Sequence, residues 1–240
     1  MTESNLASLW VYLSTSPLLG LTVTLCAYCI AHALYERSGG NPLLNPVVVA
    51  VTIVILLLLL SDTSYSVYFE GAQFVHFLLG PATVALAVPL VQQFERVRAL
   101  WIPVSIALVF GVVFGSSSAV WLARILGADV LTQLSLAPKS VTAPVAMGIA
   151  EKIGGLPSLT AVLVVTTGVI GAVFGPRLLD VFGLTNSSVR GVAVGVTAHG
   201  IGTARAFQES RTTGAFSGLA MAISTVLAAF LVPILIRLLF

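Results

Sequence analysis

The chain has 240 residues, carries a net charge of +2, and is 58% hydrophobic but only 8% charged. Soluble domains contain about 25% charged residues, so this composition excludes an ordinary soluble enzyme, and the small, scattered charge argues against nucleic-acid binding. With a mean hydropathy of +1.06, the chain is predicted to be an integral membrane protein.

The apolar runs predict an all-α membrane protein, a bundle of about eight transmembrane helices. The connections between the runs are short and carry most of the charge, so we expect one polytopic membrane domain over residues 1–240. In chain order, the predicted spans are Leu6–Leu34, Asn45–Leu60, Phe74–Gln92, Trp101–Leu122, Leu131–Ala150, Leu156–Phe174, Val189–Phe207 and Phe216–Leu239.

The first predicted span contains three potential metal ligands on one helix face, namely Cys26, Cys29 and His32. A tetrahedral metal site would need a fourth ligand, and the sequence does not identify one. Cys and His also pack well between helices, so we expect neither a metal site nor a cofactor.

The third and fifth predicted spans contain similar stretches. Leu79–Glu95 reads LGPATVALAVPLVQQFE, and Leu136–Glu151 reads LAPKSVTAPVAMGIAE. An internal repeat of the transporter type and a chance similarity of two proline-containing segments are both open. Proline breaks or kinks a helix, so both stretches are predicted to be broken helices at Pro81, Pro89, Pro138 and Pro144.

Lys139 stands between two of these prolines in an apolar segment. Irregular backbone is tolerated at membrane depth where protein covers it or where it lines a cavity, and a cation there is usually functional. The exposed amides of a helix start also attract anions. We therefore predict that Lys139, Ser140 and Thr142 bind a small carboxylate; the alternative is that Lys139 extends to the membrane surface while the prolines only kink a span.

A second candidate site lies in GVTAHGIGTARAF, Gly195–Phe207. His199 could accept a proton or donate a hydrogen bond to a carboxylate, and Thr203 follows it at i+4 on the same helix face. A packed histidine bonded to a neighbouring helix is the competing interpretation. The predicted site residues here are His199, Thr203 and Arg205, with Gly200 and Gly202 permitting close backbone approach.

The basic residues favour a topology with both chain ends outside, if all eight predicted spans cross the membrane. Lys152 then lies inside, whereas Arg177 and Arg190 lie outside. If a segment around Lys139 enters the membrane and returns on the same side, the predicted side of every later loop is reversed. No metalloprotease, nucleophile-elbow or phosphate-loop motif is present in the sequence, so we do not expect an enzyme.

Four stretches of this sequence resemble the LrgB/CidB family of antiholin-like and holin-like membrane proteins. They are NPLLNPVVVAV from Asn41, LLGPATVALAVPLV from Leu78, LAPKSVTAPVAMGIAEKIGG from Leu136 and AHGIGTARAFQES from Ala198. Together with the span pattern they cover nearly the whole chain in the family's order.

The resemblance implies two functions. One is transport of small monocarboxylates across the bacterial inner membrane, since related bacterial pairs move pyruvate and the plastid glycolate/glycerate translocator looks like an LrgA-like part fused to an LrgB-like part. The other is modulation of murein hydrolase activity and autolysis. The resemblance also implies a small LrgA/CidA-like membrane protein as partner. The broken helices, Lys139 and His199 favour a secondary transporter, with proton coupling and a homo-oligomer as further expectations.

Overall fold

The computed structural model describes residues 17–41, 44–78, 81, 84–85 and 87–240, and its regular elements within these ranges are all helical. This confirms the all-α membrane class. The helices are α1 (Pro17–Arg37), α2 (Pro46–Leu60), α3 (Tyr65–Phe77), α4 (Ala87–Gln92), α5 (Phe94–Ile125), α6 (Val130–Leu136), α7 (Ala143–Ile153), α8 (Pro157–Val181), α9 (Ser187–Glu209) and α10 (Arg211–Leu239).

Within the described residues, four helices are long and apolar enough to cross a membrane: α1, α5, α8 and α10. Helix α2 is apolar but shorter. The spans predicted from the sequence differ in detail from the helices of the structure. The start of the first one, before Pro17, lies outside the described residues, and so do residues 79–80, 82–83 and 86 within the third, Phe74–Gln92.

The chain divides into two compact units, Met1–Ala85 and Leu86–Phe240. In the first unit, α1 packs against α2 and α3. The Thr24 hydroxyl bonds the Tyr68 hydroxyl at 2.7 Å, which joins α1 to α3. Asn45 caps α2 by accepting from the Val47 amide at 2.9 Å, with Pro46 in the first turn. Whether the chain acts as a single domain stays a prediction.

The second unit is built around α10, which packs against α5, α7 and α9. Its core contains Phe216 of α10, which is fully buried, and Leu108 and Val112 of α5. Small residues let α9 approach α10 closely: an ideal Cβ at Gly195 would collide with the main-chain oxygen of Ser217. This second unit contains both predicted site segments.

Candidate functional site

Helix α9 folds back on itself at His199 and forms a helical hairpin. His199 has φ 40° and ψ −132°, which is not helical, and the residues before and after it form two helical arms, 187–198 and 200–209. Arg190 of the first arm pairs with Glu209 of the second, although a straight helix would separate them by about 28 Å. Val194 and Ala206, also on different arms, share a buried cluster. The predicted span Val189–Phe207 is therefore wrong: this segment turns back.

The arms of the α9 hairpin are about 15–18 Å long, which is roughly half of a bilayer's ~30 Å hydrocarbon core. Contacts with α8 give the depth of the tip. Arg190, near the start of the hairpin, bonds the Asp180 carboxylate at 2.6 Å near the end of α8. His199, at the tip, bonds the Val164 carbonyl at 2.9 Å, well inside α8. The hairpin thus enters from the C-terminal end of α8 and ends near its middle.

The segment that contains α6 and α7 also starts and finishes at one end of α8. This is the N-terminal end, opposite the end at which the α9 hairpin enters. The Leu156 amide, which immediately precedes α8, donates to the Ser135 hydroxyl of α6 at 2.8 Å. The Thr160 hydroxyl in the first turns of α8 donates to the Ser135 carbonyl at 2.9 Å. The chain between Ser135 and Leu156 therefore returns to where it began, and the predicted crossing Leu131–Ala150 is a re-entrant segment.

The re-entrant segment that contains α6 and α7 is interrupted where the prolines predict an interruption. Helix α6 ends at Leu136 and α7 begins at Ala143. Pro138 is fully buried in the interruption, and Pro144 lies in the first turn of α7, where its missing N–H has no helical acceptor to lose. Asp129 caps α6 from the other end: hydrogen bonds from Thr132 lower the pKa of the Asp129 carboxyl.

Lys139 and Ser140 lie in this interruption, and Thr142 is the residue that caps α7. The Lys139 ammonium is partly buried and donates to the Ser140 hydroxyl at 3.1 Å. The Thr142 side chain makes no capping bond to α7. Lys139 thus lies in the interruption of one re-entrant segment and His199 at the tip of the other, and the two residues come from different predicted site segments.

His199 is buried, with 5% of its surface exposed. Its ring lies against Gly168 of α8, where an ideal Cβ would come within 2.7 Å of ring atom Cε1. The Thr203 hydroxyl donates to the His199 carbonyl at 2.7 Å and also bonds the Ser217 hydroxyl of α10 at 2.9 Å. The packed histidine of the competing interpretation is thus observed, and it lies at the tip of the α9 hairpin.

The remaining predicted site residues lie farther from the tip or have less defined surroundings. Arg205 lies on the returning arm, where it donates to the Gln208 carboxamide at 3.1 Å. Gly202 approaches the first arm, since its ideal Cβ would come within 2.9 Å of Val194, whereas Gly200 has open surroundings apart from Met221. Pro89 lies in α4 and Pro81 is an exposed helical residue, but Ala82 and Thr83 lie outside the described residues. The broken helix predicted there stays a prediction.

Arg190 was not predicted as a site residue, although it holds the open end of the α9 hairpin. Its side chain is 8% exposed, and it bonds Glu209, Asp180 and the main-chain oxygen of Leu184, the last at 2.9 Å. The signal in the sequence is an arginine at the start of the apolar run Val189–Phe207, because a charge that becomes buried there needs partners within the protein. In the part of the chain that the structure describes, no group of three or more His, Cys, Asp or Glu side chains could hold a metal ion.

These features define a polytopic membrane protein with two re-entrant segments that enter from opposite ends of one crossing helix. The chain belongs to the LrgB-like family, whose family model matches residues 24–238.

Bacterial relatives match most of the chain. It is 31% identical to "Holin-like protein CidB" of Staphylococcus epidermidis RP62A, over 91% of this chain and 95% of that one. It is 33% identical to "Uncharacterized protein YxaC" of Bacillus subtilis 168, over 90% and 94%. It is 28% identical to "Antiholin-like protein LrgB" of Bacillus mycoides KBAB4, over 91% and 95%. No solved structure matches the chain.

The family and the apolar helices together identify a multi-pass protein of the bacterial inner membrane. Two of these relatives carry holin-like or antiholin-like names, and neither name denotes an enzyme.

Proposed function

We propose that this chain is a secondary transporter that carries small monocarboxylates, of the pyruvate, glycolate, lactate or glycerate class, across the bacterial inner membrane in a proton-coupled manner. One observation carries the proposal: two interrupted segments enter from opposite ends of α8, and Lys139 lies in the interruption of one while His199 lies at the tip of the other. Transporters commonly bind substrates near the bilayer midplane at discontinuous helices of this kind.

The surroundings of Lys139 suit a single carboxylate. The ammonium has the Ser140 hydroxyl as a neutral partner, so a bound anion would supply the compensating charge that a cation in a membrane protein requires. The amide end of α7 follows within a few residues, and the Thr142 hydroxyl does not cap it. A carboxylate at this position would therefore meet an ammonium, hydroxyls and the partial positive charge of a helix start.

His199 would form the opposite wall of the site and accept the coupled proton. Thr203 would act through His199, because its hydroxyl is bonded to the His199 carbonyl and to Ser217. Arg205 lies closer to the open end of the α9 hairpin, so in this proposal it attracts anions towards the site rather than holding them. We further propose that a small LrgA-like membrane protein, a second copy of the chain, or both complete the transporter.

The alternative is a holin-like or antiholin-like protein that modulates murein hydrolase activity and autolysis. The holin-like and antiholin-like names of two relatives favour this alternative. It predicts leakage of unrelated solutes and a strong dependence on helix packing, with little dependence on Lys139.

Uptake into liposomes that contain the purified protein would distinguish the two functions. We expect saturable uptake of labelled pyruvate, glycolate or lactate, with competition among them, when the protein is reconstituted alone or with an LrgA-like partner. An inward proton gradient should accelerate it. Unselective leakage of sugars and inorganic ions, with no saturation, would reject the transporter and support the holin-like function.

A further inference from the structure

The bond between His199 and α8 determines which ring nitrogen carries the proton. Nε2 of His199 lies 2.9 Å from the main-chain oxygen of Val164. A carbonyl oxygen can only accept a hydrogen bond, so Nε2 must be the donor in this contact. Neutral His199 is therefore the Nε2–H tautomer, and Nδ1 is the nitrogen that offers a lone pair.

Gly168 makes this contact sterically possible. In a helix, the carbonyl of Val164 points towards residue 168, one turn later, and a side chain there would cover it. An ideal Cβ at Gly168 would come within 2.7 Å of Cε1 and 2.9 Å of Nε2 of His199. Such distances are well inside van der Waals contact, so the imidazole occupies the space that any side chain at position 168 would need.

We propose that Gly168 is a positioning residue: it holds His199 against the Val164 carbonyl as the Nε2–H tautomer, so that Nδ1 is the hydrogen-bond acceptor offered to a bound molecule. While His199 is neutral, the group that Nδ1 receives is a donor, such as a hydroxyl, and the coupled proton of the proposed transport cycle would be taken up by the same nitrogen after that bond is released. The assignment of the tautomer stands on the geometry alone, whereas the role of Nδ1 towards a substrate rests on the proposed transport function.

A methyl group at position 168 should move the ring without unfolding the protein. The atoms that it would meet, Cε1 and Nε2 of His199 and Cδ1 of Ile201, lie at the ends of side chains rather than in the backbone. Gly175 provides a matched control in the same helix, because its ideal Cβ has no neighbour within 4 Å. Gly168→Ala and Gly175→Ala therefore make the same chemical change in α8, but only the first touches the imidazole.

Nitrogen NMR of histidine-labelled protein in lipid bilayers tests the proposal directly. The chain has three histidines, so replacing His32 and His76 by Gln leaves the imidazole of His199 as the sole ring signal. Protonated and unprotonated ring nitrogens resonate far apart, and their couplings to the ring carbon-bound protons distinguish Nε2 from Nδ1. We expect a dominant Nε2–H species in this background, its retention in Gly175→Ala and its loss in Gly168→Ala.

A dominant Nδ1–H species, or an even mixture, in the background protein would overturn the tautomer assignment. An unchanged spectrum in Gly168→Ala would overturn the role of Gly168. Adding lactate should shift Nδ1 more than Nε2, and a larger shift at Nε2 would contradict the role of Nδ1. If the expected tautomer is observed but liposomes show no carboxylate uptake, the proposed function fails while the assignment of Gly168 stands.

Discussion

Arg190 and Glu209 form an ion pair across the open end of the α9 hairpin, although they are nineteen positions apart in the chain. The same guanidinium bonds Asp180 and the Leu184 carbonyl, and so ties both arms of the hairpin to the end of α8. These contacts use the planar, forked arrangement of guanidinium donors, which a lysine ammonium lacks.

Replacing this guanidinium should destabilise the hairpin. We expect Arg190→Lys to lower stability by about 2 kcal/mol, below the usual cost of breaking a buried ion pair because the Asp180 side chain is 65% exposed. The midpoint of thermal unfolding in detergent measures this. Arg177→Lys, at an exposed position near the same end of α8, should leave the midpoint unchanged. Equal midpoints for both variants would show that the ion-pair network contributes nothing.

Charge removal at the proposed carboxylate site should abolish transport without preventing membrane insertion. Lys139→Ala should reduce the initial uptake of labelled lactate more than tenfold, because the carboxylate loses its only nearby ammonium partner in this part of the structure. Lys139→Arg keeps the charge and should be less impaired. Lys152→Ala removes an exposed lysine at the other end of α7 and serves as the control. Normal uptake by Lys139→Ala would remove Lys139 from the binding site.

The two re-entrant segments change the sidedness of the chain between them. Helices α5, α8 and α10 cross the membrane. At one membrane face the second unit has Arg96, Arg98, Arg177 and Arg211, and the α9 hairpin, which opens at that face, adds Arg190 and Arg205. At the other face it has Arg124, Lys152 and Arg237. The positive-inside rule makes the first face cytoplasmic. Compared with the topology of eight crossings that the sequence predicts, Lys152 and Arg177 exchange sides, while the C-terminus stays outside.

Cysteine accessibility in intact cells tests this topology. After Cys26 and Cys29 are replaced by Ala, Lys152→Cys should react with an impermeant thiol reagent added outside, and Thr185→Cys should react only after the membrane is opened. Both positions are exposed. The reverse pattern would restore the crossing that the sequence predicts for Leu131–Ala150. A reporter at the C-terminus would not discriminate, since both topologies place it outside.

Close packing between α9 and α10 depends on individual glycines. Gly195→Ala should destabilise the protein by about 1–3 kcal/mol, because the added methyl meets the backbone of Ser217, which cannot move aside easily. Gly200→Ala should be tolerated, since the only neighbour near its ideal Cβ is the flexible Met221 sulfur at 3.9 Å. Unfolding midpoints compare the two variants, and equal losses would show that the glycines do not act through packing.

An acceptor at Nδ1 of His199 should favour 2-hydroxy acids over 2-oxo acids. Lactate has a hydroxyl donor that pyruvate lacks, and one neutral hydrogen bond corresponds to about a threefold to tenfold preference. Competition against labelled lactate in liposomes measures the ratio. His199→Ala should bring the two acids to equal potency, and an unchanged preference in that variant would place the hydroxyl elsewhere.

The sequence predicted the interruption at Lys139 because proline has a fixed physical consequence in any helix. It could not predict the reversal at His199. Each arm of the α9 hairpin is helical and apolar, so hydropathy reads Val189–Phe207 as one span, and the turn depends on the backbone angles of one residue. The partners of Arg190 and the contact with Gly168 come from distant segments and need the assembled fold.

The glycine contacts between α9 and α10 have a mechanical consequence. At Gly191 and Gly195 the α9 backbone lies directly against α10, and separating these surfaces would open voids that no side chain could fill. On its other side, α9 contacts α8 through the hydrogen bonds of Arg190 and His199 and through close packing at Gly168 and Gly171. In the proposed transporter, any alternation between inward-open and outward-open forms should therefore keep α9 and α10 together as one rigid body.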